Sequence, residues 1–191
     1  MLRVLLVNDT NKQVGRLRAA LIQAGCEIVE EVSSALMIPK KVAELRADVV
    51  IIDTESPSRD VLEQICVVTQ DEPRPIVMVS EDTQPSAIKA AIKAGVSAYV
   101  VEDIDKHRLS AVLEIAQARF EMDQSLMQQI RQAESRLNER KIVERAKGLL
   151  MQLRSMSESE AYHAMRKIAM DRNIRIVDVA QKLLSMNELL A

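Results

Sequence analysis

The sequence predicts an α/β fold at its front, a five-stranded parallel sheet with helices on both faces, followed by an all-helical tail. Three observations predict it. Five short runs rich in Val and Ile alternate with helical stretches over residues 1–103. Most of those runs are near-continuously apolar, as strands buried on both faces must be. From Ile104 through Lys147 neither Gly nor Pro occurs.

The strand runs are, in order, "RVLLVN", "CEIVEEV", "DVVIID", "PIVMVS" and "SAYVV", and the helical stretches between them are "KQVGRLRAALIQAG", "PKKVAELRAD", "RDVLEQICVVT" and "QPSAIKAAIKAG". Gly25 and Gly95 stand where helices end, a position that asks for the left-handed backbone only Gly adopts cheaply. Pro39 suits the first turn of its helix. Five alternating units give a parallel sheet covered on both sides, and ligands of such sheets bind at the carboxyl ends of the strands. Asn8, Asp9, Asp53 and Ser80 all fall at those ends.

The stretch from Ile104 reads as one long helix, about 65 Å if unbroken. Leu109, Val112, Ala116, Leu126, Ile130, Ala133 and Leu137 keep a 3-4 spacing, interrupted at Arg119 and Asp123. A lone helix of this length has nothing to bury such a stripe against, which predicts a coiled-coil dimer; a helix folded back onto the head is the alternative. Three tail helices follow. The first continues through "KIVERAKGLLMQLRSM"; "ESEAYHAMRKIAMDR" opens with Ser157 and Glu160 spaced as a capping box; and "IVDVAQKLLSMNELL" comes after Asn173, suited to a left-handed helix end. The expected domains are 1–103, a coiled-coil helix over 104–137, and a small helical bundle over 138–191.

The chain has 191 residues, 48% of them hydrophobic, enough for one medium domain and a small one. The charge is divided. Residues 1–115 carry 18 acidic and 13 basic side chains, whereas 136–182 carry 11 basic and 6 acidic. An acidic head with a basic tail points the tail toward a polyanion, or simply gives it a well-solvated surface. No apolar run approaches a membrane span, and the N-terminus has no cleavage pattern of a signal peptide; a cytoplasmic protein is expected. Cys26 and Cys66 lie in apolar surroundings as small buried hydrophobes, and the two His and two Cys show no zinc-ligand spacing.

With Asp9 after the first strand, Asp53 after the third, Pro57 four residues later, Ser80 after the fourth and Tyr99 in the fifth, residues 1–103 resemble the receiver domain of bacterial response regulators, a flavodoxin-like fold. The resemblance implies that Asp53 is the phosphoryl acceptor, that carboxylates beside it hold Mg²⁺, that the Ser80 hydroxyl bonds the phosphoryl group, and that a Lys closes the fifth strand. The chain departs twice. Asn8 replaces the first acidic residue of the usual pair, and Glu102 stands where the Lys belongs. Two unit charges ~4 Å apart interact by about 4 kcal/mol at an effective dielectric of ~20, so exchanging an attracting cation for a repelling anion disfavours phosphorylation. The expectation is a pseudo-receiver operated by a protein partner, with Asp9 and Asp53 retaining at most a weak Mg²⁺ site.

"AKGLLM" at 146–151, "SESEAYHAMRKIAM" at 157–170 and "IVDVAQKLL" at 176–184 resemble the ANTAR module of the AmiR and NasT transcription antitermination regulators, and "LRVLLVNDT" with "AGVSAYVV" looks most like the NasT branch. The resemblance implies a non-enzymatic regulator that binds RNA hairpins in nascent leaders, nitrate and nitrite assimilation genes as targets, and a nitrate-binding, NasS-like sensor protein as the inhibitory partner. Sequence-reading RNA modules grip unstacked loop bases with cations and stacking groups. Arg140, Lys141, Arg145 and Lys147 share a broad helix face, and Arg166, Lys167, Arg172 and Arg175 supply the far end of the next helix. Tyr162, the one aromatic residue of the module, can stack on a base or pack in the core. Ala146 and Gly148 beside Lys147 permit another backbone to approach. The rival outputs are a DNA-binding regulator, which needs an exposed recognition helix that the apolar last helix does not supply, and a protein-docking bundle under phosphorylation control.

Overall fold

In the computed structural model the described residues are 1–9, 15–101 and 106–190, the side chains of 106, 107 and 188–190 excepted. The expected helix start at Lys12, the boundary at 103/104 and Glu102 lie outside them. The chain divides into two compact units, Met1–Gln124 and Ser125–Ala191.

In the first unit, β1 (Leu2–Asp9), β2 (Cys26–Val32), β3 (Val49–Thr54), β4 (Ile76–Ser80) and β5 (Ala98–Val101) form one sheet in the order β2-β1-β3-β4-β5, and every pairing is parallel. The five expected strands are all present. Because side chains alternate across a strand, each run feeds two cores. Leu5, Val7, Val50, Ile52, Ile76 and Met78 join one. It also receives Ile38 and Val42 of α2 (Ile38–Leu45), Val61, Ile65 and Val68 of α3 (Arg59–Asp71), and Ala91 and Ala94 of α4 (Pro85–Ala94). Val4, Leu6, Val49, Ile51, Val77 and Val79 enter the other, against Leu17, Ala20 and Leu21 of α1 (Gly15–Gln23). Ile51 and Ile52, neighbours in sequence, are both fully buried on opposite faces; truncating either to Ala costs ~2–5 kcal/mol. In β1, β3 and β4 the apolar runs end in polar residues at the carboxyl edge: Asn8 and Asp9, Asp53 and Thr54, and Ser80.

Gly95 ends α4 with φ 113°. A Cβ there would lie 2.4 Å from Thr69 Oγ1. That hydroxyl donates to Ile65 O at 2.8 Å within α3 and is held in place, so both the backbone angle and the approach of α3 require glycine.

The helix α5 runs unbroken over Lys106–Arg154, 49 residues. Its beginning corrects the expected seam. Leu109 and Ala116, with Leu113 between them, are buried in the second core of the head, and Val112 packs against it. The seam's first three members thus cover the sheet, and the exposed stripe begins beyond them: Leu126 is 55% exposed, Ile130 44% and Leu137 55%.

In the second unit, α5 is joined by α6 (Glu158–Arg172) and α7 (Ile176–Leu190). Ser155 turns the chain with φ 50°. The capping box forms as expected: Ser157 Oγ accepts from Glu160 N at 3.3 Å, and Ser157 N donates to Glu160 Oε2 at 2.8 Å. Asn173 closes α6 at φ 50°. The small core contains Ala146, Met165, Ala169, Val179 and Ala180, with Ile142, Val143, Leu150 and Ile176 packed around it. Three alanines among its five buried members let the helices approach closely. Ala146 matches the close-approach expectation. Gly148 does not, since a Cβ there would meet nothing within 4 Å.

Candidate nucleic-acid interface and strand-end pocket

At the carboxyl edge of the sheet, strand register brings the polar residues together. Asn8 pairs with Asp53, Asp9 with Thr54, and Thr54 with Ser80. Asn8 and Asp53 are half-buried, whereas Thr54 and Ser80 are buried. Asp9 is exposed by area, yet loss of hydration pushes its carboxyl above the ordinary 3.8. That shift disfavours the charge a cation would need. Two carboxylates and an amide suit a Mg²⁺ that keeps most of its waters. No set of three His, Cys, Asp or Glu gathers into a metal cage among the described residues.

Ser80 is already engaged. Its hydroxyl donates to Glu55 O at 3.0 Å and accepts from Asp82 N at 3.2 Å. Beside it, Ser56 Oγ donates to Asp82 Oδ2 at 2.6 Å, and Gln84 N donates to Asp82 Oδ1 at 2.9 Å. These two bonds, the Ser56 one first, hold the Asp82 carboxyl below its usual range. Tyr99 OH donates to Asp82 O at 2.8 Å while its ring packs on the first core. The loops after β3 and β4 are therefore tied to each other at the rim of the pocket. Sequence reasoning passed over Ser56 and Asp82. The available signal was Asp82 two residues before Gln84 and three before Pro85, the pattern of an Asx turn.

In the tail, the expected cations divide into two groups. Arg140, Lys141, Arg145, Arg166, Lys167 and Arg172 are exposed, and none makes an ion pair among the described residues. Lys147 is different. It is only 8% exposed, and its Nζ is paired with Glu144 Oε2 at 2.8 Å and Glu158 Oε1 at 2.7 Å. The geometry removes it from the free cations and makes it a packing element between α5 and α6. Arg175 is exposed but engaged, its guanidinium reaching Glu139 Oε1 at 2.9 Å and Asp178 Oδ1 at 3.1 Å.

Tyr162 is 40% exposed, outside the buried core, with its ring edge-on to His163 at 6.3 Å. It lines a groove of about 390 Å³ with Arg140 and Arg175, as well as Arg136 and Glu139. Those last two were not singled out from the sequence. Their signal was helical spacing, since 136, 139, 140 and 143 fall on one face of α5. A second surface gathers Arg140, Lys141 and Arg145 around Leu137.

Residues 4–114 match the response regulator receiver domain family, and residues 131–184 match the ANTAR domain family. The transcriptional regulatory protein PdtaR of Mycobacterium tuberculosis is 32% identical over 183 residues, covering 95% of this chain and 89% of its own. The chain belongs to the ANTAR response regulators. The aliphatic amidase regulator of Pseudomonas aeruginosa is 27% identical over 96% of this ANTAR response regulator and 91% of its own length. The nitrate regulatory protein of Klebsiella oxytoca is 42% identical over 66 residues, 35% of this chain and 17% of its own. Among solved structures, the receiver domain of a modulated diguanylate cyclase from Desulfovibrio desulfuricans G20 aligns with TM-score 0.55 at 17% identity, over 63% of this chain and 97% of that one. The chemotaxis response regulator CheY4 of Vibrio cholerae aligns with TM-score 0.52 at 24% identity, over 61% and 98%. Both carry the receiver fold of the head. Among the described residues no helix is long and apolar enough to cross a membrane.

Proposed function

We propose that this ANTAR response regulator is a cytoplasmic transcription antitermination factor that binds hairpin RNA in nascent leader transcripts and prevents terminators from forming. The observation that carries this reading is the set of six exposed cations on α5 and α6, none of them ion-paired among the described residues, with Arg140 lining a groove beside Tyr162. A-form RNA hides its major groove, so a reader of this kind grips backbone phosphates and unstacked loop bases. Arg140, Lys141 and Arg145 meet phosphates on one side, Arg166, Lys167 and Arg172 on the other, and Tyr162 supplies a stacking face. Arg175 joins them only by giving up Glu139. A DNA-reading alternative needs an exposed recognition helix; in α7, Val177, Val179 and Ala180 are buried instead.

The remaining parts follow the same reading. The exposed stripe of Leu126, Ile130 and Leu137 pairs two copies into a homodimer. The head is a pseudo-receiver: Asn8 weakens the cation site, Asp9 and Asp53 hold Mg²⁺ weakly, and Glu102 repels an incoming phosphoryl group. Control passes instead to a nitrate-sensing protein of the NasS kind, which occludes the regulator until it binds its ligand. The 42% identity over 66 residues to a nitrate regulatory protein supports nitrate and nitrite assimilation genes as targets.

The test is a binding titration of the full chain against a panel of structured leader RNAs and duplex DNA of equal length, across a range of salt. Preference for a hairpin RNA, with affinity falling steeply as counterions are released, is the expected result. Equal affinity for both nucleic acids at every salt overturns the reading.

A further inference from the structure

We propose that the groove between α5, α6 and α7 is a pocket for one unpaired RNA base that carries an exocyclic amino group. This rests on the RNA-binding reading above. A surface made only to hold phosphates would present cations and N–H groups. This groove also presents two carboxylates, Glu139 and Glu144, beside Arg136 and Arg140. In a site that attracts a polyanion, carboxylates are a cost unless they read something. What a carboxylate reads is a donor edge.

Each of the two acids is fixed by one of its oxygens. Arg175 takes Glu139 Oε1 at 2.9 Å, and Lys147 takes Glu144 Oε2 at 2.8 Å. The second oxygen of each makes no hydrogen bond among the described residues. A carboxylate oxygen only accepts, and one held by a cation accepts in a fixed direction. The rest of the groove suits a flat ring. Tyr162 offers an aromatic face, and Val143 and Ile176 add apolar wall within a volume of about 390 Å³. Base-on-aromatic stacking is indifferent to sequence, so discrimination falls to the carboxylates. Guanine donates from N1–H and its amino group, adenine and cytosine from theirs. Uracil offers a single N3–H flanked by two carbonyl oxygens, which an anion repels. Arg136 and Arg140, on the same face of α5, are placed for the phosphates on either side of the captured nucleotide.

The experiment uses the full chain and a hairpin RNA that it binds. Each loop position is changed in turn to uridine and to the analogue lacking the amino group, inosine for guanosine or purine riboside for adenosine. At one loop position, loss of the amino group should weaken binding to the wild type by about tenfold or more, in line with a bidentate base contact. Glu139→Gln or Glu144→Gln should shrink the ratio between the parent and the amino-lacking RNA toward one, whatever either change does to overall affinity by releasing Arg175 or Lys147. Tyr162→Leu should weaken the parent and the analogue RNA alike. If every loop variant binds equally while hairpin RNA is still preferred over duplex DNA, the base pocket is overturned and the RNA reading stands. If no hairpin preference exists, both fall. Should a glutamine variant lose helix content by circular dichroism, the analogue scan on the wild type decides alone.

Discussion

Lys147 Nζ lies 2.7 Å from Glu158 Oε1, joining the last turns of α5 to the first residue of α6, with Glu144 holding the same ammonium at 2.8 Å. The pairing holds the Lys147 ammonium above its ordinary 10.5, Glu144 contributing first, and the Glu158 carboxyl below its ordinary 4.5 through the Lys147 hydrogen bond. The contribution of Glu158 is present above its unfolded value and is lost as pH falls through the lowered folded one. That of Lys147 is present below 10.5 and is lost as pH rises through the raised folded one. Lys147→Met should therefore lower the melting temperature of the tail at pH 7, and the gap from wild type should narrow well below pH 4.5. Thermal melts by circular dichroism across pH check this. Equal melting temperatures at neutral pH would mean that the clamp holds nothing.

A second prediction concerns the contact between Gly95 and Thr69. Gly95→Ala places a Cβ 2.4 Å from Thr69 Oγ1 at a backbone φ of 113°. Strain and overpacking together should cost the head ~2–4 kcal/mol. Adding Thr69→Ala should recover the steric part and leave the backbone part. Urea titrations of the single and double variants measure both, and a double variant no more stable than Gly95→Ala would show that the clash is absorbed elsewhere.

Much of this architecture was legible in the sequence, for a physical reason. Strands buried on both faces must be apolar throughout, so "VVII" at 49–52 reads as a strand without any tertiary knowledge, and Ser157 with Glu160 announces a helix start by local chemistry alone. The seam was legible only as a stripe. Leu109, Val112 and Ala116 have the same 3-4 spacing whether they meet a sheet or another helix, and nothing local says which. The pairing of Lys147 was hidden for a similar reason, because a lysine on a helix face shows its charge in the sequence but not the two carboxylates that enclose it. The Ser56–Asp82 tie was out of reach, since its partners are 26 residues apart and lie in separate loops.

On the pseudo-receiver proposal, small-molecule phosphodonors should modify Asp53 poorly, because the sequence has Asn8 where receivers carry a carboxylate and Glu102 where they carry a lysine. Glu102→Lys should raise both the yield and the lifetime of the aspartyl phosphate, followed by phosphate-affinity electrophoresis with Asp53→Asn as the blank. If the wild type is modified as fully as the Glu102→Lys variant, or gains RNA affinity on modification where Asp53→Asn does not, the head is a working receiver.

The exposed stripe predicts the oligomeric state. Ile130→Asp and Leu137→Asp together place two charges in an apolar stripe, at a desolvation cost when it is covered. Sedimentation should report a dimer for the wild type and monomers for the double variant. A dimer that survives both changes would move the interface to another face.

The central claim is that this chain acts on transcription through RNA, and single-round transcription in vitro tests it most directly. The template carries a leader whose hairpin the protein binds, upstream of an intrinsic terminator. Wild-type protein should raise the fraction of transcripts that pass the terminator, and replacing Arg140, Lys141 and Arg145 with Ala should abolish the rise while the tail keeps its helix content. Read-through that stays at the protein-free level while the wild type is bound to the leader would contradict the account.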